Sequence, residues 1–224
     1  MKLVLLIAGF CITIGSYAQD CTGYYFLQNN KTVEMTVYGK KHEVSAKQVY
    51  KVSDVKTSGG TTSGHLDSEM FDKNGKSISK SSSIIKCDGG IMMIDMKMTM
   101  PMNPTQKVET DVKADNIFIE YPTSMKVGDQ LKDATMHLDM ASGNNLQQSI
   151  DMEVNDRKVE SKEKVTTSAG SWDCFKITYH AKMKIKTMGI GIPMNIDGVE
   201  YFAPGFGIVK TESPHGGTEI TSIK

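Results

Sequence analysis

The sequence has no excess of either charge, with 26 Lys+Arg against 26 Asp+Glu. That balance excludes the basic footprint of a general nucleic-acid binder. It has no apolar run long enough to cross a bilayer. The one candidate, residues 3–14, falls well short of the roughly 20 residues a spanning helix needs. There is no Cys-x-x-Cys pair, so neither a redox dithiol nor a zinc knuckle is expected. There is no His-Glu-x-x-His and no Gly-x-Ser-x-Gly elbow, and His42, His65, His137, His180 and His215 are scattered. Gly189-x-Gly191 lacks the third glycine and the following helix of a dinucleotide site. Asp72-Lys73-Asn74-Gly75 lacks the later ligands of a calcium loop and reads as a hairpin turn. Together these absences point to a chain that is not an enzyme and carries no cofactor.

What is present begins with an export signal. Lys2 precedes the apolar run, and Ser16-Tyr17-Ala18 places small residues at −3 and −1 before Gln19. The expectation is a signal peptide over 1–18, cleaved near Ala18-Gln19, and a periplasmic or secreted chain over 19–224. Cys11 leaves with the leader, while Cys21, Cys87 and Cys174 remain. Three cysteines allow one internal disulfide and a leftover thiol, and all three pairings stay open. Ala18-Gln19-Asp20 lacks the small apolar residues that precede a lipidated cysteine, so Cys21 is not read as an anchor.

Along residues 19–224 the dominant period is two. Met92, Ile94, Met96, Met98, Met100 and Met102 alternate with Asp95, Lys97 and Thr99. Met136, Leu138 and Met140 form a second series, and Ile150, Met152 and Val154 a third. Phe175, Ile177, Tyr179, Ala181, Met183 and Ile185 continue it opposite a polar row that includes Lys182, Lys184 and Lys186. Such alternation predicts strands with one apolar and one polar face, as in antiparallel sheets. Ser58-Gly59-Gly60, Asn74-Gly75, Asp88-Gly89-Gly90, Gly143-Asn144-Asn145, Ala169-Gly170, Asp197-Gly198 and Gly216-Gly217 read as turns between them. Ala203-Pro204-Gly205-Phe206 reads as a type II turn. Asn103 as a cap, Pro104 and Gln106 predict one short helix over 104–109. No linker divides the chain. The expected fold is mostly all-β: one domain, a single curved antiparallel sheet or half-barrel meander.

Three segments carry a resemblance. They are Glu120-Tyr121-Pro122 with Met125-Lys126-Val127-Gly128-Asp129-Gln130-Leu131, then Ala169-Gly170-Ser171-Trp172-Asp173-Cys174-Phe175, then Tyr201-Phe202-Ala203-Pro204-Gly205-Phe206-Gly207. In that order they resemble the TapB-like family of exported bacterial proteins, a domain of unknown function. Ser168 and Tyr201-Phe202 depart from the family's usual Pro and Trp. The resemblance implies a curved sheet like that of lipoprotein carriers, and no catalytic residues. Gly128, Gly170, Pro204, Gly205 and Gly207 are read as architectural turn or close-approach positions.

The 16 methionines carry the functional expectation. Methionine is unbranched and polarizable, and it adapts to varied apolar shapes. Met92, Met96, Met98, Met100, Met183 and Met188 are the candidate ligand-contacting residues, for a hydrophobic small molecule or lipid on a Met-lined sheet face. Gly189 and Gly191 are read as kinks or close-approach points on that face. An alternative is a structural or interaction protein of the cell envelope with a closed core and a protein partner. A third reading, Cu(I) binding, rests on soft thioethers in the run at 92–102. No nucleic acid, no metal site from other residues and no transmembrane span is expected.

Overall fold

The residues that alternate in the sequence form long antiparallel strands. A computed structural model describes residues 21–99, 109–111, 117–141, 147–187 and 190–224. In chain order the strands are β1 (Thr32–Gly39), β2 (Val44–Ser58), β3 (Thr61–Asp72), β4 (Ser77–Asp88), β5 (Ile91–Asp95), β6 (Glu109–Asp111), β7 (Phe118–Pro122), β8 (Ala134–Ala141), β9 (Gln147–Thr167), β10 (Gly170–Thr187), β11 (Ile190–Ala203), β12 (Gly207–Ser213) and β13 (Gly216–Ile223). All belong to one antiparallel sheet in the order β6-β8-β9-β10-β11-β12-β13-β1-β2-β3-β4-β5-β7. The helical pieces among the described residues are 3₁₀ turns at Cys21–Gly23, Tyr25–Leu27 and Met96–Thr99. The leader at 1–18 and the turn at 143–145 lie outside the described residues. Of the helix expected over 104–109 only Glu109 is described, and it opens β6.

The strand order is two meanders joined in the middle. β1 pairs with β13, so the first and last strands sit side by side at the centre, and Thr32 and Lys224 exchange two backbone hydrogen bonds. One arm runs outward from β1 to β5 and β7, and the other runs from β8 back to β13. The connection from β7 to β8 crosses from one arm to the other and pairs with β9. Along it Gly128 N–H donates to the Val159 carbonyl at 2.7 Å, and Leu131 N–H donates to the Arg157 carbonyl at 2.8 Å. The sheet thus curls almost into a barrel, which removes most of the edge that an open sheet would leave unpaired.

Most expected hairpin turns fall where the glycines and asparagines stand. Asp72 caps its own turn, its carboxylate accepting the Asn74 and Lys76 N–H groups at 2.9 Å each. Phe206 N–H donates to the Ala203 carbonyl at 3.0 Å, and Gly205 takes φ +77°, the left-handed position of a type II turn. Gly128, Gly170 and Gly207 likewise have positive φ. Two expected turns are corrected. Asp197-Gly198 lies within β11, and the turn expected at Gly216-Gly217 falls on Pro214-His215 instead. In each case the glycines serve close approach. A Cβ on Gly198 would stand 2.1 Å from Tyr179 Cζ, and one on Gly216 would stand 2.1 Å from the Tyr38 carbonyl oxygen.

The methionine run is also corrected. β5 stops at Asp95, and Met96–Thr99 turn away. The buried Asp95 carboxylate accepts the Lys97 N–H at 2.9 Å and pairs with Lys97 Nζ at 3.2 Å, which ends the extended strand. Met92, Met96 and Ile94 are buried in the core. Met100 and Met102 lie outside the described residues. The single-face thioether row that the copper reading assumed therefore stops after two strand positions, Met92 and Ile94.

One end of the barrel is plugged. The segment Tyr24 to Leu27 packs on the turn at Pro204, where Tyr25 N–H donates to the Gly205 carbonyl at 3.0 Å and the Tyr25 and Phe206 rings stack at 5.2 Å. Phe26 and Trp172 also lie against Phe206. A disulfide between Cys21 and Cys87 ties this plug to β4. Cys174 is the leftover thiol and is buried.

Candidate ligand cavity

Behind the plug, the inward faces of the strands do not meet completely. They leave a partly open cavity of about 270 Å³. Its walls include Met35, Met70, Met98 and Met152, with Ile85 and Ile119 between them. Beyond it, four strands align their methionines in register. Met136 of β8 pairs with Met152 of β9, Met152 with Met183 of β10, and Met183 with Met194 of β11. Directly paired residues bring side chains onto one face with Cα atoms roughly 4.5–5.5 Å apart, so the four thioethers form one continuous row. An open groove of about 580 Å³ crosses these strands, lined by the four methionines and also by polar residues that include His137, Asp151, Lys182 and Lys184. Met152 lines both the groove and the inner cavity.

The polar end of the cavity is built from β7, β9, β10 and β11. Arg157 is the single arginine in the sequence, and its side chain is wholly buried. A bulge in β9 aims it inward. Asp156 takes φ +53°, and the pairing with β10 slips where Thr178 faces Lys158 but His180 faces Asn155. The bulge shifts the inward phase from Ile150, Met152 and Val154 to Arg157 and Val159. Arg157 Nη1 donates to the Glu120 and Lys132 carbonyls, 3.0 Å each, clamping the seam between β7 and β8. Nη2 donates to Glu200 Oε1 at 3.2 Å, while Tyr121 donates its hydroxyl to Oε2 at 2.9 Å. The guanidinium also lies 4.8 Å from the centre of the Tyr121 ring, which stacks on Phe202 at 4.5 Å.

Glu200 and Tyr179 face the cavity. Gly198 makes room for the Tyr179 ring. Burial first, and the nearby charge of Glu200 second, push the Tyr179 phenol up to about 12. Tyr121 is raised well above its ordinary value for the same two reasons. Cys174 is also held protonated, its thiol pushed up to about 12 by burial above all, so it is an inert hydrophobe rather than a nucleophile.

Outside the barrel, His137 contacts both Asp151 and Asp139, and Asp151 also pairs with Lys186 at 2.7 Å. The hydrogen bond to Asp151 is the main reason His137 is raised above its ordinary value. These groups lie on the polar faces that the alternation assigned to them.

The sequence profile of the DUF3108-like family matches residues 28–224. The chain belongs to the DUF3108-like family. Two solved structures share its fold. A Bacteroides fragilis NCTC 9343 protein, inferred to be exported and to have a YmcC-like fold, is 24% identical over 88% of this chain and 96% of its own, with a TM-score of 0.70. A Parabacteroides distasonis ATCC 8503 protein, inferred to be a lipoprotein, is 22% identical over 92% of this chain and 100% of its own, with a TM-score of 0.74. No curated protein matches the chain.

In this DUF3108-like protein the expected ligand residues are divided among three places. Met98 lines the cavity and Met183 the open groove. Met92 and Met96 pack in the core. Met100, Met188 and Gly189 lie outside the described residues, and Gly191 lies under the Lys184 stem. The residues that sequence reading passed over are Arg157, Glu200 and Tyr121. Two signals pointed to Arg157: it is the lone arginine among 26 basic residues, and the apolar phase of β9 changes from even to odd between Val154 and Val159.

Proposed function

We propose that this DUF3108-like protein is exported, is not an enzyme, and holds one slender apolar ligand in the cavity behind the plug. The cavity itself carries the reading. At about 270 Å³ it lies just below the roughly 300–1,000 Å³ of small-molecule sites, and its methionine walls can repack around different apolar shapes. Met152 lines both the cavity and the open groove, which supports entry of a ligand at that point. Export is supported by the leader pattern and by the Cys21–Cys87 disulfide, which persists in oxidising compartments. The names of the two fold relatives agree with an envelope location. Within the family, the motifs around Gly128, Trp172 and Pro204 favour placement among the TapB-like proteins. The Cys21 sulfur is committed to Cys87, so it is not a lipid anchor.

The test is a titration with the fluorescent probe N-phenyl-1-naphthylamine. The expected result is saturable enhancement with the native protein, weakened at least tenfold in Met152→Trp, which fills the junction of cavity and groove. Absence of saturable enhancement in the native protein overturns the reading. A contact face for another envelope protein is the second reading, favoured by exposed Ile190, Ile192 and Met194 on β11.

A further inference from the structure

The polar groups that face the cavity are unequal. Thr211 and Thr218 bond to each other at 2.9 Å, and the Gln48 amide donates to Ser68 at 2.9 Å. Glu200 differs. Each of its oxygens accepts one bond, from Arg157 and from Tyr121, whereas a carboxylate offers about four acceptor positions. It therefore retains acceptor capacity at the cavity wall. The positive partner is withdrawn from the cavity wall. Arg157 is wholly buried and does not line the cavity; its Nη1 donates to two carbonyls and its Nη2 to Glu200, while its Nε–H is buried with no partner. Among the described residues the cavity lining thus holds a fixed acceptor and no Lys, Arg or His.

Resting on the cavity reading above, we propose that Glu200 reads the polar end of the ligand, and that the ligand is an amphiphile whose head donates a hydrogen bond: an alcohol, an amide or an amine. A carboxylate head is disfavoured because it would set a second negative group beside Glu200 in a water-poor site. Arg157 and Tyr121 are positioning residues, holding the Glu200 carboxylate toward the cavity. The Tyr179 phenol, kept protonated, can donate to an oxygen of the same head.

The experiment displaces N-phenyl-1-naphthylamine from the full chain with four amphiphiles of one chain length: decan-1-ol, decylamine, decyltrimethylammonium and decanoate. The alcohol and the amine are expected to displace the probe at concentrations at least tenfold lower than decanoate. Decyltrimethylammonium carries charge but no N–H, and is expected to lag behind decylamine by a similar factor. In Glu200→Gln, whose amide both donates and accepts, the gap between alcohol and carboxylate is expected to shrink below threefold. Equal displacement by decanoate, or by decyltrimethylammonium and decylamine, overturns the inference while leaving the cavity reading intact. A folded Glu200→Gln that keeps the full preference overturns it as well. If that variant does not fold, the ranking on the native protein decides alone. Failure of the probe to bind overturns the cavity reading and this inference together.

Discussion

The two ends of the β10–β11 hairpin have the same alternating pattern and opposite fates. At one end Phe175 pairs with Phe202, and both are buried, Phe202 against Tyr24 of the plug. At the other, Ile185 pairs with Ile192 and Thr187 with Ile190, yet Ile192 is 65% exposed and Ile190 74% exposed. Strand pairing is equally regular at both ends, so pairing does not cover an apolar face. Coverage comes from what packs across the barrel: the aromatic plug, the disulfide and the Arg157 clamp at one end, and nothing equivalent among the described residues at the other. The proposed ligand binding would use this asymmetry, one end holding the shape while the other admits the ligand.

The largest loss is expected when the closed end is deprived of its charge clamp. Arg157→Met leaves Glu200 buried without its partner and frees the β7–β8 seam. A loss of about 3–5 kcal/mol is expected, read from the urea denaturation midpoint. Next is the disulfide. Replacing both Cys21 and Cys87 by serine releases a loop with a sequence separation of 66. Loop-closure entropy puts the loss at about 4 kcal/mol, and added reductant should reproduce it in the native protein. A smaller effect is expected midway along the hairpin. Gly198→Ala forces the Tyr179 ring off β11 and should cost about 1–3 kcal/mol, with a change in tyrosine fluorescence that a surface alanine would not cause. At the open end, Ile190→Ser and Ile192→Ser should each change stability by less than about 0.5 kcal/mol. A large loss there would show that the open end is covered and that the contrast is mistaken.

Much of this was readable beforehand, and the limits have physical causes. The strands and most of their turns follow from alternation and from Asn-Gly or Gly-Gly pairs, because those signals act over a few residues. Asp197-Gly198 misled because a glycine that frees φ and a glycine that admits a neighbouring ring look alike in a sequence. The run at 92–102 misled because Asp95 bends the chain by accepting a backbone N–H two residues on, while the methionines keep their even spacing past the bend. Met152, Met183 and Met136 were legible as inward-facing. That they stand side by side with Met194 depends on registers across three strand pairs, which local patterning does not contain.

By itself the sequence determined the class of structure, an antiparallel sheet with an apolar and a polar face, because the period of two is a property of each strand alone. It also determined that at most one disulfide could form within residues 19–224. The tertiary structure decided which cysteines pair, where the sheet closes, and that the lone arginine turns inward to hold Glu200 at a cavity wall. Those outcomes depend on groups such as Arg157 and Glu200, or Cys21 and Cys87, that are distant along the chain and meet only when the sheet curls.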